Sequence, residues 1–136
     1  MTEANRQDNL LLELNKGAAS LKAAHACAAL SLWDDTVSRA YAAACHWASA
    51  LLFSVGVEAR SRRGLSQLLL THFVAPGLMP RVLSRHYVEL DRLHEDVDEG
   101  WGPPVDGEDA REALDHAQAI EQFVRDHLSH QGLRVA

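Results

Sequence analysis

Two short segments concentrate the residue types that handle anions and protons. The first, Ser38-Arg39-Ala40-Tyr41-Ala42-Ala43-Ala44-Cys45-His46, holds Arg39 and His46 seven residues apart. On a helix that spacing puts both on one face, where they could share an anion, while Tyr41 points elsewhere. The competing reading is packing, with Tyr41 a core aromatic and His46 bonded to a backbone carbonyl. The second segment, Leu90-Asp91-Arg92-Leu93-His94-Glu95-Asp96-Val97-Asp98-Glu99, places Arg92 and Asp96 four residues apart, within reach across one helical turn. An arginine held by a carboxylate can bind a phosphate or stabilise developing negative charge, with Asp96 orienting it or acting as base. These two are the candidate catalytic residues. Arg39, Tyr41, His46 and His94 are the candidate ligand-binding residues, His94 facing away from Arg92 and Asp96. An acidic run at a helix C-terminus opposes the helix dipole. Such a conflict with a local rule is either a solvated face or a sign of function.

Other chemistries lack their residues. The Glu-x-x-His pairs of di-metal bundles do not occur in the sequence. His127 and His130 are three apart near the end of the last helical segment, where a fraying chain end rarely holds a metal. A His-Glu-x-x-His motif, a glycine-rich phosphate loop and a Gly-x-Ser-x-Gly elbow are also missing. No metal and no cofactor are expected.

The chain carries 13 Lys plus Arg against 19 Asp plus Glu, a formal charge of -6. Bulk counterion-release binding to nucleic acid is thereby excluded, so any RNA or nucleotide contact must be a local pocket. Only Lys16 and Lys22 are lysines; the other eleven basic residues are arginines, beside eight histidines. Arginine and histidine suit phosphate and proton chemistry, although abundant Ala with Arg in place of Lys also marks a GC-rich genome. Cys27 and Cys45 sit in alanine-rich stretches and are expected as buried, reduced thiols of a cytoplasmic protein. No signal peptide is read in Thr2 to Asn9, and Ala40 to Val57 is too polar and alanine-rich for a membrane span.

The elements that must position these residues are helical. At 136 residues, with 47% hydrophobic and 24% charged residues, the chain has the size and composition of a single globular domain, 1–136. Pro and Gly cluster at Ala75 to Pro80 and Gly100 to Gly107, and strand-like alternation is absent. Leu10, Leu11, Leu14, Ala18, Leu21, Ala24 and Ala28 make one helical stripe. A second helix is expected from about Trp33-Asp34-Asp35, with an Asp as cap, to Gly56, and a third over about Arg63 to Val74. A fourth starts at Pro80, turns Val82, Leu83, Tyr87, Leu90, Leu93 and Val97 inward and ends at Gly100. A fifth begins after Asp106, with Asp109 as a capping-box partner, and ends near Gly132. The fold class is therefore all-α, an antiparallel bundle of about five helices. The density of alanine in the second helix implies a very close helical neighbour.

Three blocks, in order, resemble a known family, the HEPN domains (higher eukaryotes and prokaryotes nucleotide-binding), in their small stand-alone prokaryotic form. They are Ser38-Arg39-Ala40-Tyr41-x-Ala43-x-x-His46, His72-Phe73-Val74-Ala75-Pro76-Gly77-Leu78-Met79-Pro80 and Leu90-Asp91-Arg92-Leu93-His94-Glu95-Asp96-Val97. The resemblance implies a four-helix up-and-down core with a short extra helix, usually dimeric. It also implies RNA cleavage or nucleotide binding, commonly beside a small nucleotidyltransferase in toxin-antitoxin or defence-like pairs. By the resemblance, family ribonucleases work without metal and use an Arg and a following His with four to six residues between them, two copies facing each other across the dimer. Here the residues at that distance from Arg92 are Val97, Asp98 and Glu99. Arg39/His46, Arg81/His86, Arg111/His116 and Arg125/His130 fit the spacing, where about two such matches are expected by chance from eleven Arg and eight His, so they are poor evidence for a site. Where the family pattern has aromatics, this sequence has Ala42, Cys45 and Val97.

The sequence is compatible with three functions. One is a homodimer that binds nucleotide, RNA or a nucleotidyltransferase through a cleft lined by Arg39, Tyr41, Arg92 and Asp96. Another is a metal-independent ribonuclease toxin in which Asp96 or His94 replaces the usual His. The last is a non-catalytic assembly bundle.

Overall fold

The computed structural model describes residues 2–100 and 102–136; Trp101, in the second Gly/Pro cluster, lies outside them. Five α-helices follow in order: α1 (Glu3–Ala29), α2 (Trp33–Ser54), α3 (Arg62–Leu69), α4 (Arg81–Glu99) and α5 (Gly107–His130). No strand occurs among the described residues. A π-helical turn, Leu70–Val74, prolongs α3, so the third helical segment ends where the sequence places it.

The helix ends follow from side-chain chemistry. The Thr2 hydroxyl accepts from the Asn5 amide and the Ser61 hydroxyl from the Gly64 amide, each satisfying a first-turn donor. Asp106 and Asp109 form the reciprocal capping box expected of them. Gly100 closes α4 in the left-handed conformation at φ 67°. At α2 the expectation fails. The cap is Leu32, and Asp34 and Asp35 lie inside the first turn, where their charge suits the dipole without bonding an amide.

Helix α2 runs through the centre and packs on α1, α4, α5 and α3. Its burial is nearly all-round, including Ala40, Tyr41, Ala43, Ala44, Trp47 and Ala50. The close neighbour implied by its alanines is α1. Gly17 gives the Trp47 indole its space: a Cβ there would stand 2.7 Å from the ring carbons Cδ1 and Cε2. Two inward assignments are corrected. Val82 is 50% exposed, at the first turn of α4, where few neighbours reach. Cys27 and Cys45 are free thiols but only half-buried.

Candidate functional site

The site is built by two helix ends that each carry the wrong charge for their dipole. Arg62 and Arg63 occupy the first turn of α3, which holds no acid, and Glu95, Asp98 and Glu99 crowd the end of α4, which holds no basic residue in its last turn. Each misplaced charge costs its own helix about 0.3–1 kcal/mol. The fold brings the two ends together across a cleft of about 700 Å³, lined by Arg62, Arg63, Asp91, His94, Glu95 and Asp98 among others. The two ends therefore face each other across the cleft, and Arg62 and His94 make the direct contact between them.

His94 of α4 forms the floor, and Tyr41 of α2 lies directly beneath it. Tyr41 is buried and its ring stacks under the His94 imidazole, centroids 4.5 Å apart at 29°. The Arg62 guanidinium lies 5.2 Å from the Tyr41 ring centroid, a cation-π contact. Arg62 Nη1 is 3.3 Å from His94 Nε2, and Asp98 Oδ2 is 3.4 Å from the same nitrogen. Burial lowers the His94 pKa below its ordinary value and the Arg62 charge adds to this, against the opposing pull of Asp98, Asp91 and Glu95. Beneath the floor, Cys45 Sγ is 3.7 Å from the Tyr87 hydroxyl, and burial raises the Cys45, Tyr41 and Tyr87 pKa values.

The structure separates the residues that the sequence groups together. On α2, Tyr41 and Cys45 face α4, whereas His46 faces α1, where its Nδ1 bonds Glu13 Oε2 at 2.7 Å. A carboxylate partner thus replaces the backbone carbonyl considered for it. Arg39 is exposed and does not line the cleft. Nor do Arg92 and Asp96. Arg92 is exposed on the outer side of α4, where Nε bonds Glu89 and Nη1 bonds Asp96, both at 3.1 Å. The hydrogen bond from Arg92 lowers the Glu89 pKa, and Glu89 raises that of Arg92. A cleft shared by Arg39, Tyr41, Arg92 and Asp96 is not formed; of the candidates, Tyr41 and His94 meet at the cleft, and Arg92 and Asp96 pair outside it.

Arg62 and Arg63 were missed by the sequence reading, and a signal for them exists. Arg60-Ser61-Arg62-Arg63 puts basic residues immediately after a serine cap, the inverse of the usual first-turn preference. Among the described residues no group of three or more His, Cys, Asp or Glu side chains is placed to hold a metal ion. None of the described helices is long and apolar enough to cross a membrane.

Comparison with known proteins places this geometry in a family. Residues 12–127 match the model of the HEPN domain. UPF0332 protein glr0978 of Gloeobacter violaceus is 31% identical over 80 residues, 59% of this chain and 64% of that relative, so the match spans less than two thirds of the relative's length. The crystal structure of TT1696 from Thermus thermophilus superposes with a TM-score of 0.73 at 25% identity, covering 85% of this chain and 95% of the other. With five helices in this arrangement and a family match across nearly its whole length, the chain belongs to the HEPN domain family.

Proposed function

We propose that the cleft between α3 and α4 binds the phosphate of a nucleotide or of an RNA end, with the protein acting as a cytoplasmic homodimer beside a nucleotidyltransferase in a toxin-antitoxin or defence-like pair. The observation that carries the reading is Arg62 poised at the cleft mouth over Tyr41 and His94. A guanidinium aligned on an aromatic face is positioned for bidentate contact with an oxyanion, and Arg63 beside it lends a second charge. The four carboxylates on the opposite wall, Asp91, Glu95, Asp98 and Glu99, suit the amino groups of a base rather than a phosphate. Titration of fluorescent nucleotides and short single-stranded RNA tests it. Binding that is lost in Arg62→Ala and kept in Arg111→Ala, an exposed position on α5, supports the reading, and equal affinity in both contradicts it.

A second reading is the metal-independent ribonuclease, favoured by one observation. His94 has a lowered pKa and stands 3.3 Å from Arg62, which pairs a neutral base with a cation in one cleft. In this reading His94 Nε2 takes the proton of a ribose 2′-hydroxyl as the oxygen attacks the adjacent phosphorus, and Arg62 holds the charge that builds on the phosphoryl oxygens. The 5′-oxygen leaves with a proton from water, giving a cyclic phosphate. Cleavage of labelled RNA in EDTA, abolished in both Arg62→Ala and His94→Gln, would establish it; intact RNA in every lane leaves the binding reading.

A further inference from the structure

Residues 59–88 contain none of the chain's 19 acidic residues, yet they hold five of its eleven arginines. Arg62 and Arg63 face the cleft, whose opposite wall is acidic. Arg81 and Arg85 have no such wall. They stand four residues apart in the first turns of α4, both exposed, and neither forms an ion pair among the described residues. Like charges at that spacing repel, and positive charge near a helix N-terminus opposes its dipole. Two local rules are broken at one place, with nothing in the chain to offset them.

The two guanidiniums flank a groove between α4 and the π-turn. Its wider part, about 450 Å³, is lined by Leu70, Val74, Ala75, Arg81, Ser84 and Arg85. A narrower part of about 140 Å³ shares Leu70, Val74 and Ser84 and runs on past Leu69, Tyr87 and Val88. Among the described residues, Arg81 and Arg85 are the only charged ones lining either part. The π-turn supplies the apolar wall. The Ala75 amide bonds the Leu70 carbonyl at 2.8 Å, closing a widened turn that carries Leu70 and Val74. Such turns are rare and recur at functional sites. Leu70 and Val88 stay exposed along the groove, apolar surface that the chain itself leaves uncovered.

We infer that this groove binds a small amphiphilic anion, a carboxylate on an aliphatic chain, with its head between Arg81 and Arg85 and its chain along Leu70, Val74 and Val88. The volume lies in the range of small-molecule sites. One head suffices, because guanidiniums one helical turn apart can converge on a single carboxylate, with the Ser84 hydroxyl as a further donor. The same anion relieves both the repulsion and the conflict with the dipole. The narrow part carries no charge, so it suits a hydrocarbon chain rather than a nucleotide or an acidic peptide, whose polar groups repeat along their length. Ser66 and Gln67 line both this part and the Arg62 cleft, so the two sites are neighbours with separate charges. The groove stands whether or not the cleft binds a nucleotide. Its occupancy has a reporter in His86. Burial lowers the His86 pKa first, and the charges of His116 and Arg85 lower it further, so an anion seated on Arg85 offsets the last of these.

NMR titration of the full chain with octanoate, acetate and octylammonium tests the proposal. Octanoate is expected to shift the amide signals of Leu70, Val74 and Arg85 and to raise the His86 pKa. Acetate, which lacks the chain, and octylammonium, which lacks the negative head, are expected to bind at least about tenfold more weakly. The double variant Arg81→Gln/Arg85→Gln should lose about tenfold or more in octanoate affinity. Leu70→Gln, at an exposed position, should lose several-fold with helical circular dichroism intact. Arg62→Ala should bind octanoate as the wild type does. Equal affinity for acetate would mean a plain anion site, equal affinity for octylammonium a plain apolar patch, and a loss in Arg62→Ala a carboxylate held in the cleft; each overturns the proposal. So does a wild type whose signals octanoate leaves in place, which would assign the groove to a larger partner.

Discussion

His94 Nε2 stands 3.3 Å from Arg62 Nη1, and the two can bond in only one protonation state of the ring. Arginine donates and never accepts, so it requires the Nε2 lone pair of neutral histidine. Asp98, 3.4 Å from the same nitrogen, requires the proton instead. Taking up a proton therefore moves His94 from Arg62 to Asp98 and frees the guanidinium for another anion. Burial keeps the His94 pKa below about 6.5, so the change falls on the acid side of that value. Affinity for inorganic phosphate, followed by NMR of the imidazole signals, is expected to rise as pH falls below about 6.5 and to stop responding in His94→Gln.

The same histidine contributes to acid sensitivity of the fold, with His86 and His127. Burial lowers the pKa of all three; His116, stacked 4.2 Å from His86, and Arg85 lower His86 further, and His130 lowers His127. A histidine whose folded pKa is depressed binds its proton more readily in the unfolded chain. Its contribution to stability is present above about 6.5 and is lost as pH falls through the folded value. Thermal midpoints are expected to fall on acidification from pH 7, and His86→Gln is expected to flatten that slope.

Gly17→Ala is expected to cost about 1–3 kcal/mol by overpacking, although alanine is the better helix former. The new methyl would press on the flat of the Trp47 indole, which is wholly buried in the core. Trp47 Nε1 is also buried without a hydrogen-bond partner, so the indole gives up a donor as the cost of filling this space. Chemical denaturation of Gly17→Ala with and without Trp47→Phe should show the second change recovering part of the loss.

Most of the bundle was legible because its signals are local. Caps, glycine stops and 3.6-residue periodicity gave the boundaries to within a residue or two at Asp106, Gly100 and Ser54. The site was legible only in part. Tyr41 and His94 come together because α4 runs antiparallel to α2, a tertiary fact that spacing within one helix cannot express. Arg39 and His46 are separated in role despite their spacing, because His46 is held by Glu13 of α1 while Arg39 stays exposed. Arg92 and Asp96 pair as expected, and that pairing satisfies the guanidinium on the outer side of the helix.

Arg92→Ala follows from that placement. Its ion pairs are exposed and lie within one helix, so the loss of stability is expected to stay below about 1 kcal/mol. Phosphate affinity of the cleft should be unchanged in an equilibrium titration, in contrast to the role the sequence gives this residue.

We propose Arg62, held over Tyr41 and His94, as the anion-binding group of the cleft. It is tested most directly by fluorescence anisotropy of a labelled single-stranded RNA at low salt, with wild type, Arg62→Ala and Arg111→Ala side by side. The expected result is binding by the wild type and Arg111→Ala, and a loss of about tenfold or more in Arg62→Ala, the scale of one charged hydrogen bond. Equal affinity in all three proteins, or no binding by the wild type, would contradict it.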